Sequence, residues 1–313
     1  MATTSNQEIV HLEDSKWRYT WYQMKRSAGL YGLLAPFFIL FTIFTLIPVI
    51  MSLPMGFTNF NMAQAPEFVG LDNFYALFLE DEVFLKAVQN TLVFAIVTGP
   101  ISYILSFLLA WLINEMPGAL KTIFTFIFYA PTLVGNIYTT WQLIFSGDTY
   151  GIANAYLINL GIFKGAVQWL TDANYIFGVV IVVQLWMSLG AGFLSLRAGL
   201  QGIPRDRYEA AAVEGVKNRM QELLMVTVPA MGPQMLFAAV MQIVSSFTAG
   251  DVGRFLTSFP STDYAAHTIM THAFDYGFIR YEMGYASAIC FVLFAVMLLA
   301  NWAIKKILGK YLD

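Results

Sequence analysis

Charge is what this chain of 313 residues has least of. Asp, Glu, Lys and Arg together make up 12% of it, against about 25% in ordinary soluble domains. It has a single cysteine, Cys290, so no internal disulfide can staple it. Histidine occurs only at His11, His267 and His272. There is no His-Glu-x-x-His pair for zinc, no Gly-x-Ser-x-Gly elbow for a nucleophile, and no Gly-x-x-x-x-Gly-Lys-Ser/Thr loop to cradle ATP. A net charge of −3 gives no electrostatic case for a nucleic acid partner.

What fills the chain instead is apolar: 58% hydrophobic residues and 16% aromatic. That excess does not fit a soluble globule and points to a polytopic membrane protein. A bilayer-crossing helix needs about 20 mostly apolar residues. Six charge-free runs exceed that length: 27–66, 87–114, 122–147, 173–196, 223–250 and 283–304. No other run passes 15 residues; the longest, Thr149–Phe163, is short and rich in Gly and Asn. The expectation is an all-α membrane protein with six transmembrane helices. A polar tail precedes the first run, and no Ala-x-Ala site follows it, which favours an uncleaved span over a signal peptide.

The basic residues set the orientation. The N-terminal tail, the loops near 115–121 and 197–222, and the C-terminus carry thirteen Lys and Arg. The opposite side carries only Lys86, Lys164, Arg254 and Arg280. Both termini are therefore expected in the cytoplasm. The organisation is a cytoplasmic tail over 1–26 and one six-helix domain over 27–313, including the cytoplasmic loop 197–222. The outer segments 55–86, 148–172 and 251–282 are expected to carry short surface helices.

None of the six runs contains Asp, Glu, Lys, Arg or His. Ionisable groups in a membrane mark proton relays, ion sites and voltage sensors, so an ion-coupled transporter, a pump core and a voltage-gated channel are disfavoured. His267 and His272 read as loop histidines without a metal. Neutral polar groups do occur near mid-depth: Asn136, Gln184, Gln242, Ser245 and Ser246, the last three at i, i+3 and i+4 of one helix. Aromatics such as Trp141 and Trp186 accompany them. Amides and hydroxyls beside aromatic faces suit a neutral, hydroxyl-rich solute. Interhelical hydrogen bonding, worth about 0.6–2 kcal/mol each, is the competing role. Pro100 and Pro131 are candidate helix breaks, tolerated where backbone lines a cavity.

The loop between the fourth and fifth runs carries the most information. Pro204 suits a first helical turn, the alanines that follow Glu209 favour helix, and Gly215 suits a C-terminal stop. A second helical segment is expected from about Asn218, interrupted at Pro229. The result is a short stiff helix at the membrane's inner face that exposes small side chains, a shape that can seat in a groove of another protein.

Here the sequence resembles the permease subunits of binding-protein-dependent ABC importers, in their carbohydrate branch. The family pattern is Glu-Ala-Ala, three residues, Gly, then Ile-x-Leu-Pro. This chain has Glu209-Ala210-Ala211, Gly215 and Val226-Thr227-Val228-Pro229, with one extra residue before the last group. Leu200-Gln201-Gly202-Ile203-Pro204, Phe68-Val69-Gly70-Leu71-Asp72-Asn73-Phe74, Asn90-Thr91 and Gly284-Tyr285-Ala286-Ser287-Ala288 also look like the family. The likeness runs from about residue 30 to the end.

The resemblance implies a type I importer permease in the prokaryotic cytoplasmic membrane. Its loop would be a coupling helix, with Glu209, Ala210, Ala211 and Gly215 engaging an ATPase subunit. The implied partners are a second homologous permease, two copies of a P-loop ATPase holding ATP and Mg, an external substrate-binding protein, and lipid. The chain itself would be no enzyme and hold no cofactor. The implied cargo is a sugar or oligosaccharide, passing Asn136, Gln184, Trp186, Gln242, Ser245 and Ser246. A passive facilitator for neutral solutes is the alternative from the residues alone. A receptor-like protein with ligand-binding outer loops is a third.

Overall fold

The computed structural model describes residues 16–134 and 137–312. The chain divides into two compact units, 1–54 and 55–313. The first holds α1 (Lys16–Arg26) and most of α2 (Ala28–Met55). A π-helical turn at Thr42–Leu46 lies inside α2. No residue of α2 is buried. A helix apolar all round is stable only in lipid or against other protein.

The second unit begins with α3 (Asp72–Leu79) and α4 (Glu82–Glu115), then α5 (Gly118–Tyr129) and α6 (Tyr138–Ile144). After α7 (Ile152–Asn159) come α8 (Ala173–Met187) and α9 (Ala191–Gln201). The loop helix is α10 (Arg205–Val213). Then follow α11 (Arg219–Ala230), α12 (Gly232–Phe247), α13 (Asp251–Leu256), α14 (Ile269–Phe274) and α15 (Met283–Leu312). The described residues form no strand beyond one isolated bridge, Thr58 with Phe68.

Six apolar runs do not become six straight helices. Among the described residues, four helices have the length and composition to span: α2, α4, α8 with α9 as Ala173–Gln201, and α15. The pair α11 and α12, bent by 83°, makes a fifth if it is one span. The bend falls at Met231, two residues past the expected break at Pro229, because Pro233 starts a new helix there. The third run is divided. Ala130–Thr132 forms a 3₁₀ turn carrying Pro131, after which α6 starts at Tyr138. Pro100, by contrast, breaks nothing; it lies within the 34-residue α4. Buried Phe94, Ala95, Thr98, Ser102 and Ser106 flank it, and this packing overrides the lost hydrogen bond.

Three apolar clusters hold the second unit together, and α4 contributes to all of them. Phe84 and Ala95 join Ile243, Ile269 and Ile289. Phe94 joins Val179, Val183 and Leu256. Ala110 and Ile113 join Phe193, Leu196 and Met235. One long central helix thus ties the three clusters of the second unit into a single packed body. Close approach adds to this at Gly284, where a Cβ would run into the Thr58 carbonyl oxygen.

Candidate functional site

The loop between α9 and α11 is built as a rigid, capped element. Pro204 precedes α10, and Gly215 ends it at φ +96°, a conformation that favours glycine. The Val216 N–H donates to the Ala211 carbonyl at 3.0 Å and the Gly215 N–H to that of Ala212 at 3.2 Å. This is a Schellman stop, which satisfies carbonyls that the helix end would otherwise leave open. Asn218 then caps α11 by accepting from the Gln221 N–H at 2.8 Å. Glu209, Ala210 and Ala212 are exposed, whereas Ala211 is buried and packs within the chain. Tyr208 and Thr227 share a hydroxyl hydrogen bond of 3.2 Å, so α10 is tied to α11. Arg219 bonds Glu222 on α11 and reaches Glu115 at the end of α4 at 3.4 Å. A movement of α10 is therefore passed directly to α11 and through Arg219 of α11 to α4.

Mid-depth residues fall into two sets. The Gln242 amide donates to Ser106 Oγ and to the Ser188 carbonyl, both at 3.1 Å, inside the bundle. Ser246 Oγ donates to the Ile243 carbonyl of its own helix. Both side chains are buried and act as interhelical and local ties; they also edge a mainly apolar cavity of about 430 Å3 between α4, α12 and α15. Gln184 and Ser245 form another pair, Nε2 to Oγ at 3.4 Å. Trp186 is 39% exposed and meets Trp141 edge to face at 6.1 Å. Asn136 lies outside the described residues.

The sequence does not reveal the cluster around Asp81. His267 and His272 are not loop histidines in solvent: they are 2% and 1% exposed. His267 Nε2 lies 3.0 Å from His272 Nδ1, and His272 Nε2 lies 2.9 Å from Asp81 Oδ2. Tyr276 and Tyr285 hydroxyls donate to the same Oδ2, at 3.3 and 3.1 Å. The other oxygen, Oδ1, caps α4 by accepting from the Phe84 N–H at 2.8 Å. Burial pushes His267 down to about 4, reinforced by His272, and burial also holds His272 below the ordinary histidine value despite the carboxylate. Burial raises Asp81, but the Phe84 N–H and His272 outweigh it and hold its carboxyl below the usual range. With both imidazoles neutral, one proton arrangement fits: each Nε2–H donates onward, towards Asp81. The pair's only sequence signal is two histidines five apart in a chain that has three.

The motifs that carry the family likeness do structural work here. Asn73 Nδ2 donates to the Gly56 and Thr58 carbonyls at 2.9 and 2.8 Å. Asn90 Nδ2 donates to the Tyr264 and His267 carbonyls, both at 2.9 Å. Thr91 Oγ1 accepts from the Ile269 N–H at 2.8 Å. Gly284 N–H reaches the Phe60 carbonyl at 2.8 Å. Together they pin segments 56–73 and 264–269 onto α4 and α15.

No family model matches the chain. Individual proteins do. An arabinooligosaccharide transport permease, AraP of Bacillus subtilis, is 28% identical over 301 residues, covering 96% of this chain and 94% of AraP. A probable ABC transporter permease of the same organism, YesP, is 29% identical over 271 residues, covering 85% and 86%. Among solved structures, a bacterial ABC transporter that imports the acidic polysaccharide alginate has a chain with a TM-score of 0.73 and 27% identity. That match covers 92% of this chain and 99% of that one. Near end-to-end in sequence and fold, this multi-pass helical membrane protein is similar to ABC importer permease subunits of the carbohydrate-transporting type.

Proposed function

We propose that the protein is the membrane-spanning subunit of an ATP-driven importer that brings a sugar or oligosaccharide into a prokaryotic cell. One observation carries the coupling: the short helix α10 is stopped at Gly215 by a Schellman motif and presents Glu209 and Ala210 outward. Such a helix transmits force only if a partner holds it. The partner is a P-loop ATPase, in two copies, which holds ATP and Mg. A second permease completes the pathway. A substrate-binding protein delivers cargo to the outer segments, as in the related alginate importer, whose structure includes an oligosaccharide-bound periplasmic protein. The basic residues place both termini in the cytoplasm, with 1–26 as tail, 27–313 as permease domain and 197–222 as coupling loop.

Relatives bearing names of neutral cargo, such as arabinooligosaccharides and lactose, favour a saccharide. Trp186 beside Trp141, with Gln184 and Ser245, offers an apolar ring face next to amide and hydroxyl groups, the combination that suits a sugar. Asn136, Gln242 and Ser246 complete the proposed lining, with Gln242 acting chiefly through the helices it joins.

Gly215→Trp tests the coupling. The glycine's φ of +96° strains any residue with a side chain, although the space around it is open. The expected result is an assembled permease pair that loses its co-purifying ATPase and ATP-dependent uptake. Unchanged uptake would sink the coupling role. Uptake that never needed ATP would favour a passive facilitator.

A further inference from the structure

Arg197 sits on α9, four residues from the end of the helical span Ala173–Gln201, and is only 6% exposed. Its Nε–H donates to Thr125 Oγ1 at 3.2 Å, and Nη1 donates to Asn114 Oδ1 at 3.2 Å. Thr125 is itself fixed, donating to the Lys121 carbonyl at 2.6 Å. Both partners are neutral. Among the described residues no carboxylate pairs with Arg197, since nearby Glu115 is turned to Arg219. A guanidinium has five N–H donors, so three remain without an acceptor among the described residues. The side chain lines a cavity of about 460 Å3 between α5 and α9, together with Thr122, Thr125, Tyr129 and Gln201. No acidic residue lines it.

A buried cation held in place by neutral groups is oriented but not neutralised, and such a charge in a low-dielectric setting is costly unless it is paired. The missing element is a negative charge. The fixed Nε and Nη1 bonds leave the planar fork free to bind two oxygens side by side, the geometry of a carboxylate, sulfonate or phosphate. We infer that Arg197, with Thr122 and Gln201 at the rim, forms a binding site for an oxyanion at the inner end of α5 and α9. Two sources share that chemistry: the acidic group of a solute passing through the bundle, and an anionic lipid headgroup of the inner leaflet. The site does not rest on the importer reading, and its test measures no transport.

The protein is purified with the subunits that accompany it, in detergent with phosphatidylcholine. Its Tm is followed against sodium glucuronate, against glucose, and against sodium chloride at matched ionic strength. A second series adds phosphatidylglycerol. A saturable rise with glucuronate alone, with affinity about tenfold weaker or worse in Arg197→Gln, assigns the site to an acidic solute. A rise with phosphatidylglycerol only, lost in Arg197→Gln, assigns it to a headgroup. Arg197→Lys guards against a variant that does not fold: it keeps the charge, loses the fork, and is expected to bind more weakly. No rise in either series, a rise matched by sodium chloride, or full binding in Arg197→Lys overturns the assignment.

Discussion

His272 Nε2 lies 2.9 Å from Oδ2 of Asp81, 191 residues away in sequence, and Oδ1 of the same carboxylate caps the central helix α4. One side chain thus closes the end of the 34-residue α4 and anchors segment 261–285. Asp81→Ala removes cap and anchor together, with an expected loss of about 2–4 kcal/mol. Asp81→Asn keeps a good cap but donates where it should accept, so about half that loss is expected. Thermal unfolding of the purified protein distinguishes them; equal losses would mean that capping alone matters.

The histidine pair makes stability fall with acid. In the folded protein His267 takes a proton only near pH 4, whereas an unfolded histidine takes one near 6.5. Below 6.5 the unfolded state therefore binds more protons, and stability falls as pH falls. The contribution is complete above 6.5 and declines by about 3 kcal/mol on reaching pH 4. Because His267 and His272 touch, they titrate as a pair. Tm measured from pH 7.5 down to 4.5 should drop more steeply in the natural protein than in His267→Gln. Parallel curves would remove the pair from the account.

Gly284 allows two backbones to meet. Its N–H bonds Phe60 at 2.8 Å, and a methyl there would collide with the Thr58 carbonyl, which also accepts from Asn73. Gly284→Ala is expected to cost about 1–3 kcal/mol and to loosen segment 56–74, read as faster proteolysis there. Intact resistance would show that the segment can give.

Gln242 and Gln184 should separate by phenotype. Gln242 makes two interhelical bonds at 3.1 Å, so Gln242→Leu should lower Tm, by about 1–2 kcal/mol of stability. Gln184, also buried, makes one long bond to Ser245, so Gln184→Ala should lower Tm less than Gln242→Leu does and should reduce uptake. A Gln184 variant with normal uptake would remove it from the proposed pathway.

Much of this was legible in the residues. Pro204, the alanines and Gly215 specify α10 by local conformational preference alone, and the positive φ at Gly215 follows from the chain's need to turn. The division of the third run at Pro131 was legible for the same reason, but the continuity of α4 through Pro100 was not, because packing on both sides decides it. Arg197 reads in sequence as the first residue of a polar loop. The helix instead runs on to Gln201, and the contacts with Asn114 and Thr125, 83 and 72 residues away, draw the guanidinium inside.

The sequence by itself determined the class: charge-free runs long enough to cross a bilayer, no Asp, Glu, Lys, Arg or His within them, and a loop whose local chemistry demands a capped helix. These depend on composition and near-neighbour preferences, which act along the chain. Tertiary structure alone decided which polar groups are partners. Asp81 meets His272, Gln242 meets Ser106 and Asn90 meets the His267 carbonyl because the helices cross there. A buried polar group must find an acceptor or donor wherever the fold supplies one, and sequence spacing carries no record of that meeting.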